Sequence, residues 1–239
     1  MGQSSSSSSS SNNETPHTPL MHRGRQEEKA RNNYNRLANC YDCWASWEKP
    51  YLIHALNLFD LKNQNQNVLE IGCGTGWVCE QICLAGNNIT GLDISEGMCK
   101  VTTKRLEKSC STDAFTILKG SAKKLPLEDT SFDCVIVCFT LELMLLSDIK
   151  IVLSEIQRVL LPGGRLIAVS MSNDENVAKS CPMGCYRCCN TYCDCVVDCS
   201  PIALLDLVSD EKNLTPIQSE TLPFYGLAVQ SVICKRCPD

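Results

Sequence analysis

Short apolar runs and longer segments of helical periodicity alternate through the middle of the chain. Buried strands are predicted at 67–71, 88–93, 114–119, 132–139 and 165–171. Between them, apolar residues recur every three or four positions, which predicts helices at 77–85, 96–108 and 147–160. Two further helices are expected within 31–60, with Pro50 opening the second. Strands that alternate with helices form parallel sheets, so the pattern predicts an α/β fold with helices on both faces.

The chain departs from this pattern near each end. Residues 1–30 contain an unbroken serine run, Ser4–Ser11, followed by polar and charged residues. Such a stretch cannot bury enough apolar surface to offset its chain entropy. We therefore expect a disordered tail at 1–30 and a single folded domain at 31–239, with a cysteine-rich insertion at about 180–199.

Composition places the chain with globular proteins and argues against a nucleic-acid-binding, a membrane-spanning or a secreted protein. Hydrophobic residues make up 44% of the chain and charged residues 21%. The net charge of -5 argues against nucleic-acid binding, which needs a basic face. No apolar run is long enough to predict a transmembrane helix, and the first residues lack the pattern of a secretory signal. We expect a cytoplasmic protein.

The chain contains 18 cysteines, an unusually large number. Several occupy positions where a core hydrophobe is expected: Cys79 and Cys83 in a predicted helix, Cys134 and Cys138 in a predicted strand. A free cysteine serves there as a small apolar residue. Because the sequence shows no secretory signal, we expect most of these cysteines to be reduced.

The first residues carry a candidate lipidation site. Met1-Gly2-Gln3-Ser4-Ser5-Ser6 fits the pattern for N-myristoylation of Gly2, and the alternative is an accidental match within a serine-rich tail. A single acyl chain attaches a protein to membranes only weakly. Weak peripheral membrane association through Gly2 is therefore an alternative to a purely cytoplasmic location.

The candidate chemistry is concentrated where the first predicted strand ends. There the segment Glu70-Ile71-Gly72-Cys73-Gly74-Thr75-Gly76 leads into a helix, and its glycines permit a sharp turn and the close approach of a ligand. The next carboxylate at a strand end is Asp93, which can accept hydrogen bonds from both hydroxyls of a ribose. The glycines are spaced G-x-G-x-G, unlike the G-x-G-x-x-G of dinucleotide-binding proteins.

With this motif the sequence resembles the class I S-adenosylmethionine (SAM)-dependent methyltransferases, in particular the methyltransferase type 11 group that includes ubiquinone-biosynthesis enzymes. Further segments resemble the family in the same order: Gly91–Ser95, Leu125–Asp133 and Arg158–Leu166. The resemblance covers 31–175 well and 196–236 loosely. It implies a Rossmann-like, doubly wound, mostly parallel seven-stranded sheet with an antiparallel C-terminal strand.

The resemblance also implies SAM as the cofactor. The cofactor-binding residues that it implies are Glu70, Gly72, Cys73, Gly74, Gly76, Asp93, Ile94, Met98, Ser121, Ala122 and Cys138. Among them, Asp93 would hold the ribose and Glu70 would orient the ammonium group. In the family an acidic residue often follows the glycine at the position of Gly120, whereas Ser121 stands here. A carboxylate acceptor for the adenine amine is therefore absent from that position.

Candidates for a catalytic base are few. Glu142, just past the fourth predicted strand, is the best carboxylate candidate, and a solvated residue at a helix start is the alternative. Tyr41 and Tyr34 lie in helices that cover the active site in the family, and ordinary core aromatics are the alternative. His54 on a predicted helix is more often a structural histidine than a catalyst.

Cysteines cluster between residues 181 and 199, and three interpretations stay open. The cluster is either a variable insertion without a ligand, a metal site or a site of palmitoylation. The cysteines that could hold a metal are Cys185, Cys188, Cys189 and Cys193. Two hypotheses follow for the whole chain. The first is a SAM-dependent methyltransferase for a small-molecule or lipid acceptor. The second is a non-catalytic metal- or membrane-associated binding protein on the same fold. The sequence does not indicate the oligomeric state.

Overall fold

The computed structural model describes residues 20–172, 199–224 and 227–238. Within these residues, seven strands form one sheet with the order β3-β2-β1-β4-β5-β7-β6. The strands are β1 (Asn67–Ile71), β2 (Asn88–Asp93), β3 (Phe115–Lys119), β4 (Phe132–Cys138), β5 (Leu160–Ser172), β6 (Leu214–Phe224) and β7 (Leu227–Arg236). Because β7 pairs antiparallel with both β5 and β6, it alone runs against the other strands of this sheet. The predicted doubly wound α/β fold is confirmed.

Helices cover both faces of the sheet. They are α1 (Leu20–Leu37), α2 (Tyr41–Trp44), α3 (Lys49–Phe59), α4 (Trp77–Leu84), α5 (Glu96–Ser109), α6 (Leu146–Val159) and α7 (Leu204–Ser209). Local sequence explains several of their starts. Pro50 occupies the first turn of α3, where its missing N–H costs nothing. Ser95 caps α5, its hydroxyl accepting a hydrogen bond from the Met98 N–H at 3.1 Å.

Alternation along the central strand β4 divides the core in two. Cys134 and Ile136 contribute to the apolar cluster beneath α3 and α4. Val135 and Val137 contribute to the opposite cluster, which packs against α6 and includes Ile149. Side chains of a strand point alternately to the two faces of a sheet, and both faces are apolar here because helices cover both.

Three details differ from the sequence-based expectations. Helix α1 begins at Leu20, so residues 20–30 are helical although a disordered tail was expected there. Strand β5 begins at Leu160 rather than at 165, because Leu160 pairs with Phe132 across a register irregularity. Cys83 lies in the core, as expected, but it is not free. It forms a disulfide with Cys110, at the end of α5, and so links α4 to that helix.

The remaining expectations concern the other core cysteines, the N-terminal tail and the cysteine-rich segment. Cys79, Cys134 and Cys138 are free and buried. The tail at 1–19, including Gly2, and the candidate metal ligands Cys185, Cys188, Cys189 and Cys193 lie outside the described residues. Within the part of the chain that is described, no helix has the length and apolar character needed to cross a bilayer. The division of the chain into a tail and one domain with an insertion stays a prediction.

Candidate active site

A cavity of about 160 Å³ opens at the carboxyl ends of β1, β2 and β4. The chain passes from β1 to β2 and β3 on one side, and then crosses to β4 on the other side. Order therefore reverses between β1 and β4, and ligands of open α/β sheets bind at such a switch point. Helices α1 and α2 contribute side chains to the opposite wall, so that the cavity lies between the sheet edge and the N-terminal helices.

The glycine loop that follows β1 forms the floor of this cavity. Gly72, Gly74 and Gly76 all have positive φ values, 73°, 54° and 78°, which side chains with a Cβ rarely adopt. A Cβ on Gly72 would lie 2.2 Å from Thr140 Oγ1, and one on Gly76 would lie 2.4 Å from Thr102 Cγ2. A Cβ on Gly74 would meet no atom within 4 Å, although Gly74 lines the cavity. The loop is therefore close-packed beneath Gly72 and Gly76 and open above Gly74.

Asp93, at the end of β2, joins the glycine loop to the start of α5. Its Oδ2 accepts a hydrogen bond from the Gly74 N–H at 2.9 Å, and its Oδ1 accepts one from the Ser95 N–H at 2.8 Å. Burial raises the pKa of Asp93 to about 6, while these backbone donors act in the opposite direction. The carboxylate is thus fixed at the cavity wall beside the open face of Gly74.

Glu70 lies in β1, the strand that is paired with β2, and it directly precedes the glycine loop. It is buried and lines the cavity, and the Cys79 thiol donates a hydrogen bond to its Oε2 at 2.8 Å. Burial raises the pKa of Glu70 to about 8. A fully desolvated carboxylate is stabilised by a cation, and no lysine or arginine among the described residues makes an ion pair with Glu70.

The end of the cavity beyond Asp93 combines apolar and charged groups. Ile94, Met98 and Ala122 line it. Ser121 and Lys123, on either side of Ala122 in the sequence, line the cavity as well. The Lys123 Nζ is 2.5 Å from Glu27 Oε2 and 3.2 Å from Asp148 Oδ2. This lysine joins α1 to α6. Carboxylates therefore border this end of the cavity, although none occupies position 121.

Comparisons with known proteins agree with this geometry. The family described as "Methyltransferase domain" matches residues 69–168, which contain the glycine loop, Asp93 and the strands of the switch point. Residues 69–168 of this chain are therefore similar to a methyltransferase domain.

Curated proteins that are similar to this chain are named for different substrates. Demethylmenaquinone methyltransferase of Symbiobacterium thermophilum is 31% identical over 62% of this chain and 61% of its own length. Malonyl-[acyl-carrier protein] O-methyltransferase of Erwinia billingiae is 35% identical over 59% of this chain and 53% of its own. The chain thus spans less than two thirds of the length of these relatives.

A solved structure shows the same fold. The N-methyltransferase NodS from Bradyrhizobium japonicum, in complex with S-adenosyl-L-homocysteine (SAH), has a TM-score of 0.69 and 15% identity. The match covers 88% of this chain and 100% of that one. Because the identity is low, this likeness concerns the fold alone and not the activity or the substrate.

The N-terminal helices α1 and α2 are held over the cavity by polar contacts at several points. Asn35 of α1 accepts hydrogen bonds from the Ser95 hydroxyl at 2.8 Å and the Gly97 N–H at 2.9 Å. Asp42 of α2 binds both the Thr75 hydroxyl of the glycine loop and the Arg105 guanidinium of α5. We call α1 and α2 the cap. It closes one side of the cavity and reduces the access of water.

Aromatic side chains and a carboxylate lie together beneath the cap. Tyr34 and Tyr41 line the cavity, with ring centroids 5.8 Å apart. The Tyr41 hydroxyl donates a hydrogen bond to Glu48 Oε1 at 3.0 Å. Burial raises the pKa of Glu48 to about 8. Trp77 and Phe139 complete this end of the cavity. We call it the aromatic chamber, defined by Tyr34, Tyr41, Glu48, Trp77 and Phe139.

The structure brings nearly all of the predicted cofactor-binding residues to one cavity. Those that line it are Glu70, Gly72, Cys73, Gly74, Asp93, Ile94, Met98, Ser121, Ala122 and Cys138. Gly76 lies outside the lining, at the residue before α4, where it packs on Thr102. The glycine therefore serves the turn that starts the helix.

The predicted catalytic candidates are placed differently from one another. Tyr34 and Tyr41 face the cavity, whereas Glu142 lies just behind it in a short turn and is 1% exposed, not solvated. Its Oε1 accepts a hydrogen bond from the Met171 N–H at 3.1 Å, and burial raises its pKa to about 7. His54 lies elsewhere, with Nε2 at 3.1 Å from the Ser231 hydroxyl oxygen.

Several site residues were missed by sequence reasoning. Glu48 stands seven positions after Tyr41, in a short 3-10 turn that follows α2, and the change of direction between these two elements brings the side chains together without a periodic signal in the sequence. No local signal indicates Asp42, because its partner Arg105 is 63 positions away in the sequence. The same holds for Lys123, whose partners come from α1 and α6.

Proposed function

We propose that the chain is a SAM-dependent methyltransferase that transfers a methyl group to a small-molecule or lipid acceptor. One observation carries this proposal: Gly74 presents an open backbone face to a cavity at the switch point, and the carboxylate of Asp93 is fixed beside it. The methyltransferase-domain match over residues 69–168 adds independent support. The chain spans only part of its curated relatives, so their activities are not transferred to it directly.

The cavity fits the cofactor at its two most demanding points. A position without a Cβ lets the backbone approach a ligand closely, and no described residue other than the neighbours of Gly74 in the chain lies within 4 Å of the point that a Cβ would occupy. Asp93 would accept hydrogen bonds from the ribose hydroxyls, and Ile94 and Met98 would pack on the adenine. Ser121 and Ala122 would lie at the adenine edge, with Cys138 near the reacting centre. When bound, SAM supplies a methyl group attached to a positively charged sulfur.

The charge of the cavity suits such a cofactor. Glu70 and Asp93 are buried carboxyls, and both line the cavity. Glu70 would orient the ammonium group of the methionine part, where two opposite charges meet in a region of low dielectric constant. Cys73 and the backbone of the glycine loop would lie along that part. The cap would exclude water and hold the acceptor at attack distance, which is the main task of such an enzyme.

The acceptor is proposed at the level of its class. The curated relatives are named for methylation of demethylmenaquinone and of a malonyl group on acyl-carrier protein, which supports a small-molecule or lipid-linked acceptor. Tyr34 and Tyr41 face the cavity and are proposed to position it. Glu142 lies behind the lining and would act on the acceptor only through its neighbours. The described residues contain no cluster of His, Cys, Asp or Glu suited to a metal ion, and the candidate ligands Cys185, Cys188, Cys189 and Cys193 lie outside them. The comparisons support the methyltransferase rather than the second hypothesis, a non-catalytic metal- or membrane-associated binding protein.

Isothermal titration of the purified chain with SAM and with SAH tests this proposal. Saturable binding of both at one site per chain is expected. Incubation with radiolabelled SAM and a cell extract should then label a small molecule or lipid. Folded protein that binds neither compound would contradict the proposal, and circular dichroism of the same sample establishes that it is folded.

From the sequence, we also propose that the protein is cytoplasmic and that Gly2 is acylated. The pattern Met1–Ser6 supports the second of these. Mass spectrometry of the N-terminal peptide from the native host tests it. A mass increase corresponding to a myristoyl group on Gly2 is expected, and an unmodified or acetylated peptide would contradict it.

A further inference from the structure

The aromatic chamber contains a carboxylate that the cofactor proposal does not use. Glu48 lines the cavity but is only 8% exposed. Its Oε1 accepts the hydrogen bond from Tyr41, and no described residue donates one to Oε2. A desolvated carboxylate is costly unless a donor or a cation meets it. Glu48 therefore has an acceptor atom available to a ligand in the chamber.

The surroundings of Glu48 are acidic. Glu142 is close enough to raise the pKa of Glu48 further, after the larger effect of burial. Among the described residues that line the cavity, Lys123 is the one side chain with a permanent positive charge. It is already engaged by Glu27 and Asp148. No described lysine or arginine makes an ion pair with Glu48, and the nearby Lys49 places its Nζ 5.3 Å from the centroid of the Trp77 ring instead. A positively charged ligand would therefore compensate the Glu48 carboxylate.

The same chamber disfavours negatively charged nucleophiles. Burial, reinforced by Glu48, raises the pKa of both Tyr34 and Tyr41 above the usual range. Burial also raises the pKa of the Cys138 thiol, with Glu70, Glu142 and Glu48 adding to the effect. A phenol or thiol acceptor bound here would likewise resist ionisation, and a carboxylate acceptor would meet repulsion. An amine needs no negative charge to attack.

The aromatic faces favour the same ligand class. Rings attract cations through the negative charge of their faces, and Tyr34 and Tyr41 offer their rings to a ligand in the chamber. The ring of Trp77 already attracts a cation of the protein, Lys49, whose Nζ lies 5.3 Å from the ring centroid. Resting on the proposed methyltransferase function, we propose that the acceptor is a small alkyl amine and that Glu48 binds its ammonium form in the aromatic chamber. Tyr41 is a positioning residue, because its hydroxyl holds Glu48 Oε1.

In the proposed reaction, the methyl group passes from SAM to the amine nitrogen, and Glu48 takes up the proton that the ammonium group loses. A proton passes from the ammonium group to the Glu48 carboxylate, which leaves a neutral amine. The nitrogen lone pair forms a bond to the methyl carbon while the bond from that carbon to sulfur breaks, and its electron pair stays on sulfur as SAH forms. The product is a methylated ammonium ion, and Glu48 releases its proton to solvent. The raised pKa of Glu48, about 8, brings it closer to that of an alkyl ammonium and eases the first transfer.

A matched set of probes tests the charge preference. Binding of 2-phenylethylamine, 2-phenylethanol and 3-phenylpropanoate is measured by isothermal titration at about pH 8.5 in the presence of SAH, so that Glu48 is mostly ionised and the amine is still a cation. These compounds share a ring and a two-carbon spacer, and they end in a cation, a neutral group and an anion. We expect the amine to bind at least about tenfold more tightly than the alcohol, and the carboxylate to bind most weakly.

Two variants assign the preference to Glu48. Glu48→Gln keeps the shape and removes the charge, and it should reduce the amine's advantage to about threefold or less. SAH affinity should stay within about threefold of the wild type. Glu28→Gln removes the same charge from an exposed position on α1 and should retain the preference. SAM turnover with the amine, followed by mass spectrometry, should give the N-methylated product.

The outcomes separate this inference from the function on which it rests. An alcohol or carboxylate that binds wild-type protein as tightly as the amine would overturn the inference alone. So would an amine preference that survives in Glu48→Gln. SAH that fails to bind folded wild-type protein would overturn the methyltransferase proposal, and this inference with it. If Glu48→Gln does not fold, the ranking of the three probes on the wild type still decides.

Discussion

Replacing Gly74 by alanine adds one methyl group to the glycine loop, and we expect this change to weaken SAM binding more than a matched change at Gly163 that costs the same stability. Gly74 and Gly163 both have positive φ values, 54° and 81°, and alanine tolerates neither well. The left-handed backbone costs an alanine about 1–2 kcal/mol. A Cβ on Gly74 would meet no protein atom within 4 Å, and one on Gly163 would meet only Lys235 Cε at 3.7 Å, an ordinary contact. Gly74→Ala and Gly163→Ala should therefore lose similar stability, about 1–2 kcal/mol, and lower Tm by roughly 2–8 °C.

The two variants should differ in what they bind. Gly74 lines the cavity and Gly163 does not, so that only the methyl group of Gly74→Ala enters the space proposed for SAM. Overpacking costs about 1–3 kcal/mol, which corresponds to a loss of SAM affinity of at least about fivefold. Differential scanning fluorimetry gives Tm, and isothermal titration gives the affinity. Wild-type affinity in Gly74→Ala, or an equal loss in Gly163→Ala, would refute the assignment of the open loop face to the cofactor.

Three further changes probe the other parts of the site. Asp93→Asn removes a charged acceptor from the proposed ribose position and should weaken SAM binding at least about tenfold by isothermal titration; unchanged affinity would contradict the ribose role. Arg105→Gln removes the guanidinium that binds the cap to the glycine loop, so that limited proteolysis should cleave the cap faster than in the wild type. An unchanged rate of cleavage would show that this contact does not hold the cap in place. The pKa of Glu48 and Glu70 is raised to about 8 and that of Glu142 to about 7. The folded chain therefore retains protons that the unfolded chain releases above about pH 4.5, and its stability falls as pH rises. The ligand-free protein should lose at least about 3 °C of Tm between pH 5 and pH 8 in scanning fluorimetry, and a constant or rising Tm would contradict these shifts.

Much of the fold was predictable because its determinants are local. Strands β1 and β2 are short apolar runs, and both were predicted with the bounds that the structure shows. The glycine loop was predictable because positive φ is a requirement of single residues, and glycine meets it at lowest cost. Asp93 followed from its place at a strand end, since parallel strands bring their carboxyl ends to one edge.

What the sequence did not reveal depends on contacts between distant segments. The cap is held by Asp42 and Asn35, whose partners on α5 and the glycine loop are distant in the sequence and meet them only in the folded chain. The start of α1 at Leu20 has a similar cause, since Gln26 donates a hydrogen bond to the Leu143 carbonyl at 3.1 Å and Glu27 pairs with Lys123. A polar helix without an apolar stripe gives little periodic signal, and its stability comes from such contacts.

The carboxylates of the cavity connect its stability to its ligands. Glu48, Glu70 and Asp93 line one cavity, and Glu142 lies directly behind it. Burying these groups together is unfavourable for the free protein, because each one disfavours ionisation of the others. A ligand that brings positive charge relieves this repulsion, whereas a neutral ligand of equal size does not. The cavity should therefore distinguish SAM from SAH by charge, and an amine acceptor from an alcohol by the same physical effect. Selection of both substrates would then rest on the electrostatics of one acidic cavity, rather than on a separate recognition element for each.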